Sequence, residues 1–387
     1  MSFIKTIINT RLDIGQMLNT VKKVLIAFLL FICGIAGATA AITLIFFEPT
    51  RFDYLFIYAL SGGGAGSFLK TIFTVIPIIT GLVFAVIALY TGRKGRWVLF
   101  LTTTSLFVYA FRICDYISGT NAITDIFDKE YISPQNFKLK FPQSKRNLIV
   151  LYLESIESDY ANPKISASNL LPNLSKLAEE NYTFSGYHQL LYTGTTLSAQ
   201  FAGMCGAPYK TEIKIQSLYD SLNYTIPNVI CYPEVLRQNN YNTYFIQSGS
   251  LDFAYTRQLI NQHGFPYAEG YDELIAATDN ASVITGNDWG IRDRELYRLA
   301  QQKIEKLANQ HKPFLITIAT IDTHEPTTFL DPKCTSQYGD KRDVIVCADQ
   351  MAADFIRWIQ KQDFYPQTTI VVLGDHTVIG RNSVYPN

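Results

Sequence analysis

The sequence predicts an α/β protein: membrane-spanning helices followed by a soluble domain built on a mostly parallel sheet. Three observations carry that expectation. Long uncharged apolar runs fill much of the first 114 residues, whereas the rest reads as a soluble domain. Beyond residue 146, apolar runs of strand length alternate with amphipathic segments of helical length, the pattern of a parallel sheet covered on both faces. Acidic residues and histidines stand directly after several of those runs, where strand ends meet along one edge of such a sheet.

The three expected spans come first. Val24 to Phe47, "VLIAFLLFICGIAGATAAITLIFF", carries no charge. It is long enough to cross ~30 Å of hydrocarbon. The "ATA" inside it resembles a signal-peptidase site, but apolar sequence continues past it, which favours an uncleaved span. Further spans are expected at Thr71–Tyr90 and Trp97–Ile113, with Arg112 near the end of the last. The intervening "FDYLFIYALSGGGAGSF" is short and glycine-rich and reads as a loop with an interfacial or re-entrant piece. Basic residues set the orientation. Lys5, Arg11, Lys22 and Lys23 precede the first span, and Arg93, Lys94 and Arg96 separate the second from the third. The loop after the first span holds only Arg51 and Lys70. The N-terminus is therefore expected in the cytoplasm, and everything after about residue 115 outside. The expected domains are a membrane part at 1–114, a tether at 115–145 and an extracytoplasmic part at 146–387.

In that outer part, "NLIVLYLES" gives a buried strand at Asn147 to Leu153 that ends in Glu154 and Ser155. "LPNLSKLAEE" is an amphipathic helix. "HQLLYTGTTLSAQFAGMCGAP" places a glycine and two threonines before another helix, beginning near Thr196. "NTYFIQSGS" is a strand, and "IRDRELYRLAQQKIEKLANQ" a long helix. The strand "PFLITIAT" runs into "IDTHEP", "ADQMAADFIRWIQKQ" is helical, and "TTIVVLGDH" ends in Asp375 and His376.

Charge excludes some partners. Lys plus Arg and Asp plus Glu number 33 each among 387 residues, so nothing points to nucleic acid. Of six cysteines, Cys33 and Cys114 lie in apolar segments, while the other four fall into two close groups. With no Cys-x-x-Cys, a zinc ribbon is not expected, and an extracytoplasmic location favours disulfides.

The strand-end residues suggest chemistry. Two carboxylates and an imidazole are hard-to-borderline ligands for one divalent cation. Free amides at a helix start attract phosphate, and a hydroxyl there lies beside any bound phosphoryl group. Coordination to a cation would turn that hydroxyl into a nucleophile. Thr195 or Thr196 serves equally well as a plain N-cap, so the residues alone leave both roles open.

"LYLES", "TGTT", "TIDTHEP" and "LGDH", in this order and spacing, resemble the alkaline-phosphatase/sulfatase superfamily. The likeness runs from about 147 to 382. It is strongest to the membrane-anchored transferases of phosphoglycerol or phosphoethanolamine, especially those that modify periplasmic glucans. "CGAP", "YFIQSGSLDFA" and "NDWGIRD" belong to that likeness.

The resemblance implies a sulfatase-like fold and one metal site. Its ligands would be Glu154, Thr196, Asp375 and His376, holding manganese, magnesium or zinc. It implies Thr196 as nucleophile toward phosphatidylglycerol, and a cell-envelope glycan as acceptor. His324 would bind phosphate or shuttle a proton. Arg257 would grip phosphate or glycerol, or is a surface arginine. Trp289 would line the acceptor groove, or is core. It suggests disulfides Cys205–Cys231 and Cys334–Cys347. Asp322 reads as a strand-end hydrogen-bonding residue, and His188, His263 and His311 as surface or structural. The expected location is a bacterial inner membrane with the catalytic domain outside, tethered where the lipid donor lies. The resemblance also implies a further strand and helix beyond His376, so the chain reads as C-terminally truncated. Rival readings are a phosphoethanolamine transferase, a lipoteichoic-acid-type polymerase, or an inactive sensor on the same fold.

Overall fold

The apolar runs of the N-terminal part form helices with large apolar side chains turned outward. In this computed structural model, residues 2–46, 67–114, 131–190, 193–207, 229–253, 256–277, 289–325, 328–378 and 384 are described. Helices α1 (Ser2–Phe46), α2 (Ser67–Tyr90) and α3 (Arg93–Ala110) make up an N-terminal compact unit. Val24, Leu25, Phe28 and Leu29 on α1, and Ile79, Leu82, Val83 and Val86 on α2, are exposed, a surface suited to lipid rather than water. A side chain at Gly34 of α1 would collide with Gly81 of α2, so these small residues allow close helix approach. Among the described residues, one stretch is long and apolar enough to cross a membrane, Met17–Leu44. The second and third expected spans are helical, but α2 contributes only a shorter apolar run, Val75–Ile87. The glycine-rich segment between the first two spans lies outside the described residues, apart from its end in α2, as does the first half of the tether.

The second unit is built on five parallel strands: β1 (Asn147–Leu153), β2 (Asn242–Gln247), β3 (Tyr267–Glu269), β4 (Phe314–Ala319) and β5 (Thr368–Gly374). Their spatial order is β3-β2-β4-β1-β5. Period-two alternation explains why both faces are apolar. Ile149, Leu151 and Leu153 of β1 join Phe314, Ile316 and Ile318 of β4 on one face. That face is covered by α8 (Asp293–Ala308) and α9 (Lys341–Gln360), whose apolar positions recur at helical spacing. Val150 and Tyr152 point the other way, to Phe201 and Met204 of α5 (Thr196–Cys205) and Leu259 and Ile260 of α7 (Thr256–Gln262). The remaining labelled helices are α4 (Pro172–Glu180) and α6 (Tyr232–Gln238).

Two disulfides staple loops to this frame. Cys205, the last residue of α5, joins Cys231, the N-cap of α6. Cys334, in the loop after β4, joins Cys347 of α9.

Candidate active site and metal centre

Register decides what meets at the sheet edge. Leu153 pairs with Gly374 and Tyr152 with Ala319, so the residues after β1, β4 and β5 emerge side by side. Gly374 is required there. A Cβ would overlap the carbonyl oxygen of Ile156, and any side chain would push β5 from the turn after β1. Glu154 is then fixed from both flanks. Its N–H donates to Thr320 Oγ1 at 2.9 Å, and its carbonyl accepts from the Thr323 hydroxyl. Ser155 Oγ donates to Glu154 Oε1 at 2.7 Å from a residue held at φ 50°, an uncommon conformation for a non-glycine residue. Asp375 Oδ1 accepts from the N–H of Ser155 (2.8 Å) and of His376 (2.7 Å), which aims Oδ2 at the imidazole.

Three ligand-type groups therefore converge. His376 Nε2 is 3.5 Å from Glu154 Oε1 and 3.6 Å from Asp375 Oδ2, with all three side chains at most 1% exposed. His376 Nδ1 donates to the Thr377 carbonyl at 2.7 Å, so Nε2 turns its lone pair toward the carboxylates. Burial, and then the neighbouring Glu154 charge, push Asp375 up to about 7. Burial opposes charge on His376, but Asp375 and Glu154 outweigh it and raise its basicity. Oxygen and nitrogen lone pairs crowded in a dry site without enough donors fit a divalent cation. Two carboxylates and one imidazole suit manganese, magnesium or zinc alike.

The two threonines differ in what they touch. Thr195 is the N-cap of α5: its Oγ1 accepts from Ser198 N–H, and Ser198 Oγ answers its backbone N–H in a capping box. Thr196 is thereby free to face the cluster. Its Oγ1 donates to Glu154 Oε2 at 3.2 Å and lies 3.4 Å from His376 Nε2. The start of α5, with its unsatisfied amides, stands at the same place.

A cavity of about 60 Å³ opens beside the hydroxyl, lined by Thr196, Gln200, Gln247, Trp289, His324 and His376 among others. The Trp289 and His324 rings pack at a tilt of 39° with centroids 4.1 Å apart, and Trp289 is a wall of this cavity. His324 Nδ1 donates to the Glu325 carbonyl at 2.6 Å, which leaves Nε2 as an acceptor. Burial, and then the nearby His376, lower its basicity to about 4. Arg257 is not brought to the cavity. Its guanidinium pairs with Asp252 at 2.7 Å and Glu273 at 2.6 Å, which accounts for its charge locally. Asp322 accepts from Asp293 N–H at 3.1 Å and stays outside the ligand cluster. His263 is buried against Glu234.

Sequence reasoning passed over Ser155, Thr320, Asp293 and Gln200. Gln200 had a signal, its position four residues after Thr196 on one helix face. Ser155 touches its neighbour Glu154, while Thr320 and Asp293 are tied in by contacts from segments far along the chain.

A family model for sulfatases matches residues 146–382. The chain belongs to the sulfatase family. Among curated relatives of this sulfatase-family chain is phosphoglycerol transferase I of Salmonella typhimurium, 30% identical over 249 residues, covering 62% of this chain and 32% of that protein. The same enzyme of Salmonella typhi matches equally. The chain thus spans about a third of the length of the curated relatives it matches. Two solved structures share the fold, each with a TM-score of 0.51. One is a protein in the alkaline phosphatase superfamily from Vibrio parahaemolyticus, 21% identical over 62% of this chain and 57% of that one. The other is the integral membrane lipooligosaccharide phosphoethanolamine transferase A from Neisseria meningitidis, 14% identical over 95% of this chain and 75% of that one.

Proposed function

We propose that this chain is a membrane-anchored phosphotransferase of the bacterial inner membrane. In this reading it carries phosphoglycerol from phosphatidylglycerol to a cell-envelope glycan on the outer side, through an ester on Thr196. The observation that carries the reading is the Thr196 hydroxyl, at the mouth of α5 and within 3.4 Å of both Glu154 and His376. The phosphoglycerol transferases among the relatives support the choice of donor.

A divalent cation held by Glu154, Asp375 and His376 would acidify the hydroxyl and offset phosphoryl charge. The rest falls to the protein. Glu154 Oε2 directs the hydroxyl proton of Thr196 away from the attacking lone pair. Thr196 Oγ1 bonds to phosphorus as the bond to the diacylglycerol oxygen breaks. The amides at the start of α5 face the equatorial oxygens. In the second half, a sugar hydroxyl attacks phosphorus and the bond to Thr196 breaks. The Thr196 proton passes to Glu154 Oε2 in the first half and returns when the bond to Thr196 breaks, while water protonates the departing diacylglycerol oxygen; His324 Nε2, its lone pair set by the Nδ1 bond to Glu325, takes the proton of the entering sugar hydroxyl. Trp289 packs against the His324 ring and holds it at the cavity wall.

The test uses the full chain in detergent with labelled phosphatidylglycerol and a divalent cation. Diacylglycerol release and a phosphoglycerol adduct on the Thr196 peptide are expected. Thr196→Ala should abolish the adduct and cut turnover by roughly 10³-fold or more. Turnover that survives the substitution removes the nucleophile. Adduct formation from phosphatidylethanolamine instead replaces the donor.

A further inference from the structure

The cavity beside Thr196 holds a polar group that the steps above do not use. Gln200 lies four residues after Thr196 on α5, on the same helix face, and lines the cavity with Thr196, Trp289 and His324. Its side chain is 0% exposed, and neither its amide nitrogen nor its amide oxygen has a hydrogen-bond partner. An amide buried in this way is costly, and an apolar side chain of the same size would pack without that cost. The second glutamine of the cavity is committed. Gln247 Nε2 donates to the Gly249 and Ser250 carbonyls at 3.3 and 3.1 Å and ties a loop. Thr256 is committed too, donating to the Phe253 carbonyl at 2.8 Å. Among the described residues lining the cavity there is no carboxylate, lysine or arginine.

We infer that Gln200 determines headgroup specificity, by reading a neutral hydroxyl-bearing group, a small polyol, on the phosphoryl unit delivered to Thr196. The inference rests on the phosphotransferase reading above and adds the residue that chooses the headgroup. A carboxamide offers one kind of donor and one acceptor. A hydroxyl both accepts and donates, so two neighbouring hydroxyls satisfy Nε2 and Oε1 together. An ammonium group donates only. It would serve Oε1, leave Nε2 without an acceptor, and find no carboxylate among the described lining residues to balance its charge. A site built to hydrogen-bond a hydroxyl rejects analogues that lack it, because its own buried groups are then stranded.

Three chromogenic aryl phosphodiesters test this on the full-length chain in detergent with a divalent cation: the glycerol, ethanolamine and methyl esters. The wild-type chain should prefer the glycerol ester in kcat/KM by ~10-fold or more over the other two. Gln200→Met should collapse the glycerol-to-methyl ratio by a similar ~10-fold. It should also raise the melting temperature, because the stranded amide is gone. Gln200→Glu should shift preference toward the ethanolamine ester. An unchanged ranking in both variants, or a lower melting temperature in Gln200→Met with equal losses on all three esters, overturns the inference and makes Gln200 a packing residue. A wild-type chain that turns over none of the esters and forms no Thr196 adduct overturns the phosphotransferase reading itself, and this inference with it.

Discussion

Two pairs of buried carboxylates stand at strand ends in this domain, and they are solved in opposite ways. Glu154 and Asp375 follow β1 and β5; Asp322 follows β4, and Asp293 opens α8 beside it. The second pair is held mainly by backbone donors of the same two segments. Asp293 Oδ1 accepts from Ile321 N–H at 2.7 Å, Asp293 Oδ2 from Asp322 N–H at 3.3 Å, and Asp322 Oδ2 from Asp293 N–H at 3.1 Å. Burial, and then their mutual repulsion in the case of Asp322, raise both well above the ordinary carboxylate range. A shared proton and backbone donors then suffice. The first pair spends Asp375 Oδ1 on backbone but turns Asp375 Oδ2 and Glu154 Oε2 toward an imidazole lone pair and a hydroxyl. The first pair is thus the candidate metal centre, because there the backbone has not supplied all the donors.

The sharpest way to break this comparison is to add a cation. At pH 8, saturation to ~100-fold over Kd should stabilise the sulfatase-family domain by about 2.7 kcal/mol, a melting shift of roughly 5–10 °C. Glu154→Gln should abolish the shift and Asp322→Asn should retain it. The reverse pattern in calorimetry would exchange the two pairs' roles.

A smaller effect is expected one shell out. Ser155→Ala removes the hydroxyl that orients Glu154 Oε1 and should weaken cation affinity by ~10-fold, read from the cation titration of melting temperature. Unchanged affinity would mean that the turn backbone alone positions Glu154.

A third way to test the comparison is pH. Asp375, Asp293 and Asp322 hold protons in the folded state at pH values where the unfolded chain has released them. Their contribution is therefore present below the unfolded value of about 4 and is lost as pH rises through the folded values. With the cation chelated, the melting temperature should fall between pH 5 and the alkaline range. Asp375→Asn should flatten the fall near pH 7, and Asp322→Asn its alkaline part. A chelated protein that gains stability across this range would show that the carboxylates are ionised and paired elsewhere.

Much of the candidate site was legible because its residues sit where a strand pattern stops. Glu154 after "LIVLYL" and Asp375–His376 after "TIVVLG" stand next to runs whose apolar character announces β1 and β5. Thr195 and Thr196 were legible as a helix start, but not which one caps it, because capping depends on the rotation of the first turn. Arg257 was legible only as a charge. Its partners Asp252 and Glu273 come from loop geometry that no spacing announces. Gln200 drew no notice in the sequence, and its stranded amide is a property of the packed fold alone.

The sequence by itself determined the two-part organisation, the parallel sheet and the set of chemically able side chains, because periodicity and residue chemistry are local properties. Only the tertiary structure decided which of those side chains meet. Strand register sets Leu153 beside Gly374, and a missing Cβ at Gly374 lets the turn after β1 close on β5. Desolvation then makes that meeting place a candidate cation site, since buried carboxylates and imidazole with too few donors are costly until a cation pairs with them.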